Sequence, residues 1–228
     1  MMQQRVMSLF VHANICWFAC QYLSLHKNKI NGSEYTHLTK QLKETTMEQQ
    51  EYLDNFEQQL TEHLIRMLTS MELLDKQLLE SPDITDKWDE VAQSYVTDAV
   101  KEIQQYPTVS LGWAMYLGMA VARLWDDDWE IYSKLPNIYE YIRDKRGFDY
   151  LDEVVRGDIL GLKGKDFDHM EKVVQGCAQQ VLDKIRHEQI EPQSPLAFHT
   201  YVKSVRTLYR IGAAVELKAL GYKFEKVG

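Results

Sequence analysis

The chain has 228 residues, 45% hydrophobic and 26% charged, a balance that excludes wholesale disorder and suits one ordinary domain with an extension. Its net charge of −8 and pI of about 5.4 argue against a nucleic-acid partner, because phosphate binding needs a concentrated positive field.

Residues 1–46 differ in composition from the rest of the chain. They hold Cys16 and Cys20, three of the seven histidines, and no charge between Val6 and Leu25. Three readings compete. Arg5 and the apolar run over 6–25 fit a signal peptide or membrane anchor, although His12, Asn14 and Gln21 interrupt the run. The segment also fits an extra amphipathic helix. The favoured reading is an upstream mis-start, with translation beginning at Met47, where the sequence turns charged and helix-favouring. Residues 47–228 are then a single helical-bundle domain.

From there, Leu53, Phe56, Leu60, His63, Leu64, Met67, Met71, Leu74 and Leu78 recur at helical steps. They predict a long amphipathic helix over about 47–80, ended by Ser81-Pro82-Asp83. A second helix, about 84–105, carries Val91, Tyr95, Ala99 and Ile103 on one face and breaks at Tyr106-Pro107.

The third, about 108–132, is apolar nearly all round and ends in Trp125-Asp126-Asp127-Asp128-Trp129. One of its rows, Ser110, Ala114, Gly118, Ala122 and Asp126, is a groove of small residues that lets a second helix approach. The neighbouring row, Trp113, Leu117, Val121, Trp125 and Trp129, is a bulky ridge. Such a helix belongs at the centre of a bundle.

A short helix capped by Asn137 runs to Lys145 and stops at Gly147, and another spans Phe148 to Arg156. Glycines 157, 161 and 164 mark a loop. Asp168 and Glu171 resemble a capping box for a helix reaching about Glu188. Ser194-Pro195 opens a last helix that Gly221 ends. No segment shows strand periodicity. The expected fold is all-α: about six helices packed round the 108–132 helix, with an N-terminal extension.

Candidate chemistry is sparse. Successive helical residues point about 100° apart, so the three aspartates cannot face one ion. Asp126 continues the small groove and is expected inward; Asp127 lies four after Arg123 and is expected to pair with it. His63 lies within an apolar stripe, and Glu216 sits among Ala213, Val215, Leu217 and Leu220. Asp126, His63 and Glu216 are therefore the candidate metal ligands. Lys203, Arg206 and Arg210 form a basic row on the last helix. Trp125, Trp129, Arg206 and Arg210 are the candidate binding residues.

Cys177 reads as an inert core thiol. Phosphate loops, nucleophile elbows and zinc-spaced pairs are missing from the sequence.

The leading expectation is a non-catalytic, cytoplasmic binding or assembly module that needs no cofactor. Thirteen tyrosines and five tryptophans suggest contact with a protein partner or a second copy, since such residues are enriched at interfaces. No nucleic acid is expected, and no membrane unless residues 6–25 act as an anchor, in which case the chain is exported or membrane-bound. The alternative is a metal-dependent enzyme or metal-binding bundle holding a divalent ion through Asp126 and His63.

Overall fold

The computed structural model describes the backbone of residues 32–192 and 194–223, with side chains from Met47 onward. The described residues form seven α-helices and no strand. These are α1 (Gly32–Ser70), α2 (Pro82–Glu102), α3 (Pro107–Tyr132), α4 (Ile138–Arg143), α5 (Leu151–Glu153), α6 (Lys165–His187) and α7 (Pro195–Ala219). The fold is all-α, as the periodicity predicts. The 6–25 run lies outside the described residues. No described helix is long and apolar enough to cross a membrane.

The chain divides into two compact units, Met1–Asn55 and Phe56–Gly228. Among the described residues, the first contains only the N-terminal part of α1. The second contains the other helices and every candidate site residue.

The centre is α3. It touches α2, α4, α5, α6 and α7, and Leu111, Ala114, Met115, Leu117, Met119, Ala120, Val121 and Ala122 are all buried. Its closest neighbour is α7, and the predicted small-residue groove is the reason. A methyl group added at Gly118 would collide with the carbonyl of Tyr209, and one at Gly212 with the carbonyl of Met115. The two backbones are in contact, each glycine admitting the other helix.

Two helix boundaries differ from the prediction. α1 stops at Ser70 rather than near residue 80. Glu72 adopts the left-handed conformation, φ 62°. Its N–H bonds to Thr69 O at 3.1 Å, and the N–H of Leu73 bonds to Leu68 O at 2.9 Å. That pair of bonds closes helix C-termini and usually uses glycine, so glutamate here leaves no stop signal in the sequence. Leu74, past the end, still returns to the core, which is why the apolar period runs on through the break.

At the other boundary, α6 begins at Lys165, preceded by Gly164 at φ 55°. Asp168 therefore lies inside the helix and caps nothing, and Glu171 instead pairs with Arg156 at 3.1 Å.

The expected helix from Phe148 is a 3₁₀ turn (Phe148–Tyr150), then α5, then a π-helical turn (Val154–Ile159) that takes in Gly157. Asn137 caps α4 by accepting from the N–H groups of Tyr139 and Glu140. Ser194 caps α7 through the N–H of Ala197.

Candidate functional site

The C-terminal end of α3 gathers most of the predicted site residues, though not in the predicted way. The helix kinks at Asp128, where φ is −164° and ψ 81°. Beyond the kink, the Asp128 carboxylate accepts the N–H of Ile131 at 3.1 Å, an N-cap for the next turn. The triplet thus straddles a break in the helix, and Asp128 begins a new turn, where negative charge is favourable.

Asp126 does not point inward. It is exposed and accepts from the Tyr222 hydroxyl at 2.8 Å. The small-residue row delivers it to the rim because the core ends at Leu124. Asp127 does not pair with Arg123. The guanidinium of Arg123 turns instead to Glu216 on α7, with Nη2 2.7 Å from Oε1. This is an ion contact off the hydrogen-bonding directions, and the buried Nε of Arg123 finds no hydrogen-bond acceptor among the described residues. Glu216 is 4% exposed. Burial raises its carboxyl above the usual range; Arg123 opposes that shift, and Asp126 and Asp127 add to it.

Each candidate tryptophan is held from inside the molecule. Trp125 donates its indole N–H to Asp83 at 3.3 Å and packs edge-on against Tyr222, ring centres 5.5 Å apart. Trp129 lies over the ammonium of Lys87 at 5.7 Å. Lys87 is buried, ion-paired to Glu90, and donates to the carbonyl of Ser133 at 3.0 Å. A cation on the last carbonyls of α3 complements the helix dipole.

Around Tyr132 the surface is aromatic and acidic. Its ring centre lies 6.1 Å from that of Tyr141. Partial burial, then Tyr141 and the charges of Asp127 and Asp128, raise the Tyr132 phenol. Ile131 is 60% exposed, and Asp126, Asp127, Asp128 and Glu130 are all exposed.

His63 is elsewhere. It is half-buried on α1 and shares a 2.9 Å hydrogen bond with Gln180 of α6. It lines an open groove of about 640 Å³ with Glu62, Arg66, Gln180, Asp183 and His187. The three predicted metal ligands are therefore not brought together: His63 faces α6, Asp126 faces Tyr222, and Glu216 is bound to Arg123. Among the described residues no three His, Cys, Asp or Glu side chains are placed to hold a metal ion.

The basic row on α7 already has carboxylates. Lys203 and Arg206 reach Glu57 of α1 at 2.6 and 3.4 Å. Arg210 lies 3.6 Å from Glu57 and 2.7 Å from Glu80. The candidate binding residues Arg206 and Arg210 thus meet carboxylates of their own chain.

No family model, curated protein or solved structure matches this chain.

Sequence reasoning missed four residues that organise these places: Glu57, Lys87, Arg156 and Tyr222. Arg156, 3% exposed, is clasped by Asp152 at 2.6 Å, Glu171 at 3.1 Å and the carbonyl of Phe167 at 3.2 Å, and it stacks on the Phe167 ring at 3.9 Å. The π turn aims it inward, and π turns leave little trace in sequence. Lys87 had a signal: it stands beside Trp88 and one turn after Ile84, at the edge of an apolar face. Cys177 is buried and its thiol is pushed up to about 12, which suits an inert core residue.

Proposed function

We propose that this protein is a non-catalytic helical binding module that recognises a basic protein segment through the distal end of α3. One observation carries the reading: four exposed carboxylates, Asp126, Asp127, Asp128 and Glu130, immediately precede exposed Ile131 and the Tyr132–Tyr141 pair, and the charges of Asp127 and Asp128 reach the Tyr132 phenol. The nearby cations are already engaged. Lys87 is paired with Glu90, Lys134 with Glu130, and Lys145 lies over the Tyr141 ring. Lys134 thus offsets Glu130, while no cation among the described residues pairs with Asp126, Asp127 or Asp128, and these three leave negative charge beside apolar contact area. Lysine- and arginine-rich partners complement such a surface, which speeds encounter and selects against acidic proteins.

The test compares wild type with the double variant Asp127→Lys/Asp128→Lys in affinity capture, with light scattering to fix the oligomeric state. Wild type is expected to retain basic proteins that the variant loses. A strictly monomeric wild type that retains the same proteins as the variant, or none, would sink the proposal.

A further inference from the structure

We propose that the turn after α7 is an autoinhibitory latch on this surface, closed by Tyr222 over Trp125 and Asp126. The latch presupposes the acidic binding surface of α3 and concerns its regulation.

Three observations converge. The end of α7 is folded back by two bonds, the N–H of Gly221 to Lys218 O at 2.9 Å and the N–H of Tyr222 to Leu217 O at 3.0 Å, with Gly221 at φ 93°. This is the left-handed closure that glycine allows without strain. The turn carries the Tyr222 ring against the edge of Trp125. It also sets the phenol to donate to Asp126 at 2.8 Å, and that bond, rather than burial, is the leading cause of the raised Tyr222 phenol.

Tyr222 is itself 40% exposed. An amphipathic side chain thus occupies one carboxylate and one indole ring at the margin of the acidic patch. Those are the two kinds of group that a basic partner would use: a carboxylate for its ammonium or guanidinium, and an indole for a cation–π contact. Partner and latch compete for the same atoms.

Competition has a definite arithmetic. If the competent, open state is a fraction f of the molecules, the apparent dissociation constant is the intrinsic one divided by f. A latch closed about nine-tenths of the time weakens binding about tenfold, and removing it recovers that factor. Tyr222→Phe deletes only the hydrogen bond and recovers part of it; Tyr222→Ala recovers the whole.

The experiment uses the full chain labelled with 5-fluorotryptophan. The Trp125 fluorine signal is assigned by its loss in Trp125→Phe. The probe is a hexalysine peptide, titrated into wild type, Tyr222→Phe, Tyr222→Ala and the Asp127→Lys/Asp128→Lys variant. The proposal expects the Trp125 signal to move in Tyr222→Ala without peptide. It expects affinity to rise in the order wild type, Tyr222→Phe, Tyr222→Ala, by about tenfold in all.

An unmoved Trp125 signal overturns the latch whatever the peptide does. A moved signal with unchanged or weaker peptide affinity overturns its inhibitory role, yet leaves the acidic surface standing if the double lysine variant still loses binding. Absence of peptide binding in every version overturns the surface itself, and the latch as its regulator with it.

Discussion

At the scale of single residues, the Arg123–Glu216 contact carries the clearest consequence. Glu216 is nearly inaccessible, and the guanidinium that faces it is 28% exposed. Its folded-state carboxyl titrates above the ordinary 4.5, by burial first. A raised folded value means that the group's stabilising contribution is fully present below 4.5 and is lost as pH rises through the folded value. Arg123 limits that loss.

In Arg123→Ala the folded value climbs further, so the variant's deficit widens with rising pH. We expect Arg123→Ala to lie close to wild type in acid, where Glu216 is protonated in both. Near neutral pH it should be less stable by about 2 kcal/mol, because an unpaired buried carboxylate can relieve part of its cost by taking up a proton. Denaturant unfolding at several pH values checks this; a deficit independent of pH would show that Arg123 acts through packing alone.

The same scale shows where tyrosine and tryptophan went. Tyr95, Tyr116, Tyr139, Tyr201 and Tyr209 are buried, as is Trp88. The hydroxyls of Tyr95 and Tyr209 reach the carbonyls of Ser110 and Ile84, and that of Tyr139 reaches Asp98. Much of the aromatic content that suggested an interface therefore builds the core, where the hydroxyls of Tyr95, Tyr139, Tyr201 and Tyr209 find partners. The sequence could not separate the two uses, because a tyrosine at helical spacing suits a satisfied core position as well as a binding face.

At the scale of elements, the α3–α7 crossing fixes the bundle. Gly118 and Gly212 each sit against the other helix's backbone, with no flexible side chain able to yield. Gly118→Ala is expected to cost about 3 kcal/mol or more, since relief requires the helices to separate along their length. Gly176, on α6, has nothing within 4 Å of the position a methyl would take. Gly176→Ala should therefore stabilise by about 0.5–1 kcal/mol through helix propensity alone. Thermal unfolding of the two variants tests whether these glycines differ in kind; equal effects would refute the backbone contact as the reason for Gly118.

This crossing was legible in the sequence as a four-residue rhythm of small side chains along α3. Its partner was not. The matching glycine on α7 stands among ordinary apolar residues, and only packing shows that the two meet.

At the scale of the molecule, charge is unevenly committed. The basic row on α7 faces Glu57 and Glu80, and Arg156 is enclosed by Asp152 and Glu171. The end of α3 keeps its carboxylates exposed, with fewer cations to neutralise them, on a chain whose net charge is −8. Exposed charges are screened over about 10 Å at 0.1 M salt. Hexalysine binding should accordingly weaken steeply between about 0.05 and 0.5 M salt. A salt-independent affinity would assign binding to apolar contact around Ile131.

The sequence by itself determined the all-α class, the central place of the 108–132 helix and its small-residue face. These arise from local periodicity and side-chain size, which act over one or two turns. The start signals written in proline, asparagine and serine were equally legible; the stop at Glu72 was not, because its signal is a backbone conformation rather than a residue type. Only the tertiary structure decided the pairings: Arg123 with Glu216 instead of Asp127, Asp126 with Tyr222 instead of the core, and His63 with Gln180 instead of a shared metal. Each of the observed pairs joins residues far apart in the chain, and Arg123 takes the partner that packing brings to it in the less accessible place, where its field is less screened.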